Sequence, residues 1–312
     1  MAKILVTPRS ITAAGGHPAL DALTEAGYEL VFSTAGKQPG EDQLIELLPG
    51  CAGYLAGVER ISAKALRAAT QLKVISRNGT GTDAVDLEAA ERLGICVCRA
   101  EGANARGVAE LTIAMIFALA RNIPAHSRAI KAGRWERHKG IELRGKVLGL
   151  VGCGKIGQLV AEAAVALGME VLAHDLYPAE TFAPSERFRF APLDEVFERS
   201  DIISLHCPPP ADGKPIVDVD ALAKMRHGVL LVNTARAGLV DAGALHAALE
   251  SGRVAGAALD VFETEPPAEH PLLAHERVIA TPHIGAFTRE SVDRAVQVAV
   301  DNLLQQLQAS KK

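Results

Sequence analysis

A chain of 312 residues, 48% of them hydrophobic, is long for one domain and has material for two cores. Its formal charge of -4 is small for that length, with acids and bases mixed, so no field exists to grip a phosphate backbone and nucleic acid is excluded as an expected partner. The opening MAKILVTPRS lacks the apolar region of a signal peptide, and the most apolar stretch, Leu111 to Ala120, is too short to cross a bilayer, so a cytoplasmic protein with no membrane contact is expected.

From the N-terminus, the apolar, β-branched runs KILVT, ELVFS, GYLA, KVIS and ICVC alternate with the amphipathic segments HPALDALTEAG, EDQLIELL, SAKALRAA and DLEAAERLG. Strands and helices alternating at this pitch predict a parallel sheet built from right-handed crossovers. The alternation stops near Asn104, where one long, strongly apolar helix runs to Arg121, followed by the polar stretch RAIKAGRWERHKG. A second series begins at KVLGLVG and continues through EVLAHD, DIISLHC, GVLLVNTA and VAGAALDVF to RVIATPH. The prolines Pro208 to Pro210 turn a loop after one of these strands, and TRESVDRAVQVAVDNLLQQLQ has helical periodicity. The fold class expected is therefore α/β, with two doubly wound parallel-sheet domains and an active site in the cleft between them. The five cysteines, Cys51, Cys96, Cys98, Cys153 and Cys207, show neither CxxC nor Cys/His ligand spacing, so reduced thiols and no metal are expected.

One segment, VLGLVGCGKIGQLVAEAAVALGMEVLAHD, joins a strand, a glycine motif, a helix and a second strand. Gly152, Gly154 and Gly157 form a GxGxxG: the first glycine allows the tight turn, the second the approach of a pyrophosphate, the third close packing of helix on strand. The helix N-terminus then presents unpaired N–H groups to the phosphates. Asp175 ends the following strand, where a carboxylate accepts from the adenosine ribose hydroxyls. The extra phosphate of NADP would be repelled there, and LYPAE after Asp175 brings no arginine to offset it, so NAD is the expected cofactor.

Three further strand ends carry charge: VNTARAG with Arg236, ALDVFETEPP with Asp260 and Glu265, and ATPHIGA with His283. Hydride transfer to a 2-keto acid needs a cation that fixes the carboxylate, a proton donor for the developing alkoxide, and a carboxylate partner for that donor. Arginine, histidine and glutamate supply these services. Each residue also has a plainer reading: a surface ion pair for Arg236, a solvated loop acid for Glu265, a capping role for His283.

With these motifs in order, the chain resembles the D-isomer-specific 2-hydroxyacid dehydrogenases, near their phosphoglycerate-dehydrogenase-like branch. The likeness runs from RNGTGTDAVD through VGCGKIG, Asp175, NTARAG, DVFETEP and TPHIG into the last helix. It implies that Arg236 orients substrate, that His283 is the general acid/base with Glu265 as its partner, and that Asp260 contacts the nicotinamide carboxamide. It places Lys155 and Ile156 over the pyrophosphate, and Cys207, Thr234, Ala235 and the segment from His283 through Gly285 to Ala286 along the cofactor. Asn78, Gly79, Thr80 and Gly81 correspond to a cradle of backbone N–H groups for the substrate carboxylate. The implied domains are a flavodoxin-like substrate-binding domain, residues 1–100 and 286–312, and an NAD-binding Rossmann domain, residues 101–285. The implied partner is a small anionic 2-hydroxy or 2-keto acid, and the implied assembly is a homodimer through the long helix, with Trp135 either at that interface or in the core.

The segment AGVERIS departs from the Val-Arg-Ser type of phosphoglycerate enzymes, with Arg60 as its sole, late arginine, and the chain stops after one terminal helix. Neither phosphoglycerate as substrate nor serine feedback is expected. The alternatives are a formate-dehydrogenase-like enzyme, in which the histidine pairs with glutamine rather than Glu265, and an NAD(H)-sensing, corepressor-like binding protein.

Overall fold

The computed structural model describes residues 1–268 and 270–309; residue 269 and residues 310–312, the end of the segment 286–312 assigned above, lie outside them. The chain divides into two compact units, one formed by Met1–Asn104 and the chain from Arg289 onward, the other by Ala105–Thr288.

The first unit holds strands β1 (Lys3–Val6), β2 (Glu29–Phe32), β3 (Cys51–Ala56), β4 (Val74–Arg77) and β5 (Cys96–Arg99). All pair in parallel in the order β2-β1-β3-β4-β5, the flavodoxin-like winding. The central strands are continuous apolar runs because helices cover both faces of the sheet. Side chains alternate across the pleat. Leu5, Tyr54 and Ile75 pack with Leu44, Leu66 and Ala89 of the helices Glu41–Leu47, Ala63–Ala68 and Leu87–Arg92. On the other face Ile4, Val6, Leu55 and Val74 meet Val296, Val300, Leu303 and Leu307 of the helix Arg289–Ala309. The C-terminal helix thus completes the core that the N-terminus begins. Ser62 and Asp86 cap two of these helices through the N–H groups of Ala65 (3.3 Å) and Ala89 (2.9 Å).

The second unit holds β6 (Val147–Val151), β7 (Glu170–His174), β8 (Phe188–Phe190), β9 (Ile202–Leu205), β10 (Val229–Asn233), β11 (Val254–Leu259) and β12 (Val278–Ala280). Their order, β12-β11-β10-β9-β6-β7-β8, is the Rossmann winding with one strand added beyond β11. The winding reverses between β6 and β9, so the switch point lies where the glycine motif follows β6. Strand β8 is not among the runs read from the sequence. It is only three residues long, and it is held by edge-on stacking of Phe188 with Phe182 and Phe190, each at 5.1 Å.

The long apolar helix spans Ala105–Ala120 and buries Val108, Thr112, Met115, Ile116 and Leu119 against β10, β11 and the helix Lys155–Ala166. In place of a purely polar continuation, a second helix, Ile123–Lys131, follows at a bend of 63°. Asn122 makes the break by taking a left-handed conformation (φ 51°), which asparagine tolerates, and Pro124 has no N–H to lose in the next first turn. Trp135, beyond this helix, is 81% exposed, so packing into the core of this chain is not its role. Among the described residues no single helix is long and apolar enough to cross a membrane.

Candidate active site

Because every strand of the Rossmann sheet runs the same way, the residues that follow the strands gather along one edge. Backbone hydrogen bonds knit that edge together: Gly152 N–H donates to His174 C=O (2.8 Å), His206 to Val151 (2.7 Å), Asp260 to Asn233 (3.0 Å) and Thr281 to Leu259 (3.0 Å). Gly152, Asp175, Cys207, Thr234 to Arg236, Asp260 and His283 therefore lie on neighbouring strand ends. A cavity of about 210 Å³ elsewhere in this unit, beside Gly228 and Gly256, sits at the opposite ends of β10 and β11 and contains none of these groups.

Gly152 takes φ +94°, and a Cβ there would lie 2.6 Å from the Cys207 nitrogen, so neither the turn nor the spacing admits a side chain. A Cβ on Gly157 would strike the Gly152 carbonyl oxygen, which explains how closely the helix Lys155–Ala166 sits on β6. A Cβ on Gly154 would meet nothing within 4 Å. The space over Gly154, at the N-terminus of a 12-residue helix, is thus open for a phosphate to meet the first-turn N–H groups. Asp175 accepts from Cys153 N–H (2.7 Å) through one oxygen and from Tyr177 N–H (2.8 Å) through the other. The carboxylate therefore braces the glycine turn against the end of β7 and retains lone pairs for a ribose. These residues fit a dinucleotide.

The neighbouring thiols are inert. Burial pushes Cys207 up to about 11 and Cys153 up to about 12, with the Asp175 charge adding to both, so neither offers a thiolate. Burial also drives His206 down to about 4, and its neutral ring meets Ser204 Oγ at 2.9 Å. His206 is uncharged near neutral pH and suits the wall of the crevice.

At the end of β10 the polar groups close a tight turn. Asn233, 1% exposed, accepts from Ala235 N–H (3.0 Å) and donates to the Arg236 carbonyl (2.8 Å). Arg236 Nη1 donates to the Ala235 carbonyl (2.8 Å), and Thr234 Oγ1 pairs with Thr112 Oγ1 at 3.0 Å. Neither Asn233 nor Thr112 was given a role from the sequence, although Asn233 stands in the VNTARAG motif; a polar residue ending the otherwise apolar VLLVN was the available signal.

Asp260 is 1% exposed and accepts from Ile284 N–H (2.8 Å), Gly285 N–H (2.8 Å) and Thr281 Oγ1 (2.5 Å). It clamps the segment on both sides of His283, whose own φ of 51° is unusual for a residue bearing a side chain. His283 Nδ1 then lies 2.8 Å from one oxygen of Glu265 and 3.0 Å from the other. Glu265 is aimed in turn by Phe262 N–H (3.1 Å). A carboxylate only accepts, so the Nδ1 facing it carries a proton and Nε2 is the nitrogen left for exchange.

The loop Asn78–Gly81 belongs to the other unit. Asn78 N–H donates to Ala56 C=O (2.8 Å), Gly79 C=O accepts from Ala100 N–H (2.9 Å), and Arg77 Nε holds the Gly81 carbonyl at 3.0 Å. Arg77 of the same unit carries this support, and it was not singled out from the sequence.

The D-isomer specific 2-hydroxyacid dehydrogenase NAD-binding domain matches residues 113–285. A hydroxypyruvate reductase of Thermotoga maritima is 40% identical over 273 residues, covering 86% of this chain and 88% of its own. A D-3-phosphoglycerate dehydrogenase of Sus scrofa is 42% identical over 257 residues, 81% of this chain but only 48% of its own, so this chain spans about half the length of that relative. In structure, a protein from Thermus thermophilus superposes with a TM-score of 0.88 at 37% identity, covering 98% of this chain and 97% of its own. The chain belongs to the D-isomer specific 2-hydroxyacid dehydrogenase family.

Proposed function

We propose that this chain is an NAD-dependent oxidoreductase that moves a hydride between the nicotinamide and the α carbon of a small anionic 2-hydroxy or 2-keto acid. The observation that carries this is the His283–Glu265 pair, an imidazole with Nδ1 fixed by an oriented carboxylate. When bound, the nicotinamide supplies or accepts the hydride. In the reducing direction His283 Nε2 gives its proton to the keto oxygen as negative charge develops there; in the oxidising direction it takes the hydroxyl proton. Glu265 accepts from Nδ1–H and so fixes the ring with Nε2 free for the exchange. Arg236 anchors the substrate carboxylate and polarises its keto oxygen. We assign the N–H groups of Gly79, Thr80 and Gly81 to the substrate carboxylate as well, whereas the Asn78 N–H is spent on the Ala56 carbonyl (2.8 Å).

Gly152, Gly154, Lys155, Ile156 and Gly157 take the pyrophosphate, and Asp175 takes the ribose and disfavours NADP. Cys207, Thr234, Ala235, Gly285 and Ala286 line the nicotinamide side. Asp260 has three of about four lone-pair positions filled by its own chain, which leaves one for the carboxamide. We further place the protein in the cytoplasm, where its free thiols stay reduced, and pair it as a homodimer in which Trp135 meets the second copy.

The test is NADH oxidation followed optically with hydroxypyruvate, glyoxylate, pyruvate and longer 2-keto acids. Turnover of at least one is expected. Tight NADH binding with no turnover of any would make the chain a nucleotide sensor instead.

A further inference from the structure

Strand β10 is apolar until its last residue. Val229, Leu230, Leu231 and Val232 are buried hydrophobics, and Asn233, buried as deeply, ends the run. Burying a primary amide is costly unless its donor and its acceptor are both answered. Both are answered within the next three residues: Oδ1 accepts from Ala235 N–H (3.0 Å), and Nδ2 donates to the Arg236 carbonyl (2.8 Å). An apolar residue would continue the strand but leave that N–H and that carbonyl without these partners.

The two bonds belong to a closed circuit. Arg236 Nη1 donates to the Ala235 carbonyl (2.8 Å), so Asn233, Ala235 and Arg236 hold one another in a ring of three hydrogen bonds that includes the guanidinium itself. The Arg236 carbonyl accepts a second bond from Leu239 N–H (3.3 Å), where the helical turn Ala237–Leu239 begins, and the residue stays extended (φ -146°, ψ 141°). The Asn233 main chain makes a different connection. Its carbonyl accepts from Asp260 N–H (3.0 Å), and Asp260 clamps the segment around His283. Side chain and main chain of one residue therefore hold the arginine and the histidine segments separately.

We infer that Asn233 is a positioning residue for the proposed reaction: through the turn it closes, its side-chain amide aims the Arg236 guanidinium at the substrate carboxylate. This deepens the oxidoreductase reading and rests on Arg236 being the anchor of that carboxylate. A guanidinium grips a carboxylate with two parallel bonds only when its planar fork is correctly turned. Fixing the backbone on both sides of Ala235 and one Nη of the fork leaves less for substrate binding to order.

The experiment measures kcat and KM for NADH-dependent reduction of the best 2-keto acid and of its primary amide, which offers the same keto group without the negative charge. Wild type should favour the acid by about a hundredfold or more, because a charged bidentate pair is at stake. Asn233→Ala should cut that preference about tenfold or more by raising KM for the acid. The main-chain bond to Asp260 is kept, so kcat/KM for the amide and NADH affinity should stay within about twofold of wild type. Asn233→Ser offers a hydroxyl that can accept from Ala235 N–H but is too short to reach the Arg236 carbonyl. It should show the same shift, and it decides the matter if the alanine variant does not fold. Ser200→Ala, which removes a buried hydrogen bond to the Val196 carbonyl before β9, should lower the melting temperature and leave the acid-to-amide ratio alone. Folded Asn233 variants in which acid and amide decline alike, or neither declines, overturn the inference and make Asn233 a structural residue. Equal wild-type kcat/KM for acid and amide overturns it as well, by removing Arg236 as the anchor, and leaves the oxidoreductase reading standing. Absence of turnover with every 2-keto acid despite NADH binding is the distinct result that removes that reading, and this inference with it.

Discussion

His283 is held in a conformation that a residue with a Cβ rarely takes, and the cost is met by its neighbours rather than by its own contacts. Asp260 captures the N–H groups of Ile284 and Gly285 and the Thr281 hydroxyl, so the backbone on both sides is fixed before the imidazole turns to Glu265. Backbone strain of this kind, on the order of 1–3 kcal/mol, persists only where surrounding bonds over-determine it. Replacing His283 by alanine removes the proton carrier without disturbing that clamp. His283→Ala should keep the NADH affinity of wild type and lower kcat about a hundredfold or more, the usual contribution of a positioned acid/base. Kinetics measured beside an NADH titration separate the two effects. Equal kcat in wild type and variant would remove His283 from the chemistry.

At the scale of elements, the strands were legible because each is a short apolar run between polar segments, and the parallel sheets made those runs continuous. The glycine motif was legible because its requirements are local: one strand, one turn, one helix. Strand β8 escaped notice because three residues with Arg189 in the middle carry no period, and its support comes from Phe182 outside the strand. The helix Ile123–Lys131 was hidden by its polar composition. The buried hydrogen bonds of Glu59 with Thr7 and Tyr54 were illegible for a different reason: they join the end of β1 to β3, which only the closed sheet makes neighbours. Within the glycine motif the structure also separates two roles that the pattern alone merges. Gly152 is constrained by both φ and contact, whereas Gly154 is constrained by neither. Gly152→Ala should therefore cost about 2 kcal/mol or more of stability, seen as a lower melting temperature, and should abolish NADH binding. Gly154→Ala should melt within a degree or two of wild type but bind NADH at least about tenfold more weakly, since its methyl takes the space over the helix N-terminus. If Gly154→Ala bound NADH normally, the pyrophosphate would have to lie elsewhere.

At the scale of the molecule, each unit closes its own core, and what is left uncovered says where further contacts are needed. Most large apolar side chains are buried, but Ile123 and Ile130 are 53% and 56% exposed, and Trp135 is 81% exposed shortly after them in sequence. Scattered exposed apolar residues need no explanation, yet a tryptophan this bare beside two exposed isoleucines of one helix and its outgoing chain is the composition of an interface centre. The proposed homodimer gives these side chains a partner, and in such interfaces a buried tryptophan carries a large share of the association energy. Trp135→Glu should then shift the protein from dimer toward monomer at micromolar concentration, as measured by sedimentation or light scattering. Because Trp135 makes no core of its own chain, the variant should retain cooperative melting and NADH binding. A wild-type protein that sediments as a monomer at every concentration would remove the dimer. A Trp135→Glu protein that remains dimeric would move the contact to another surface, leaving the exposed isoleucines and tryptophan without the role assigned to them.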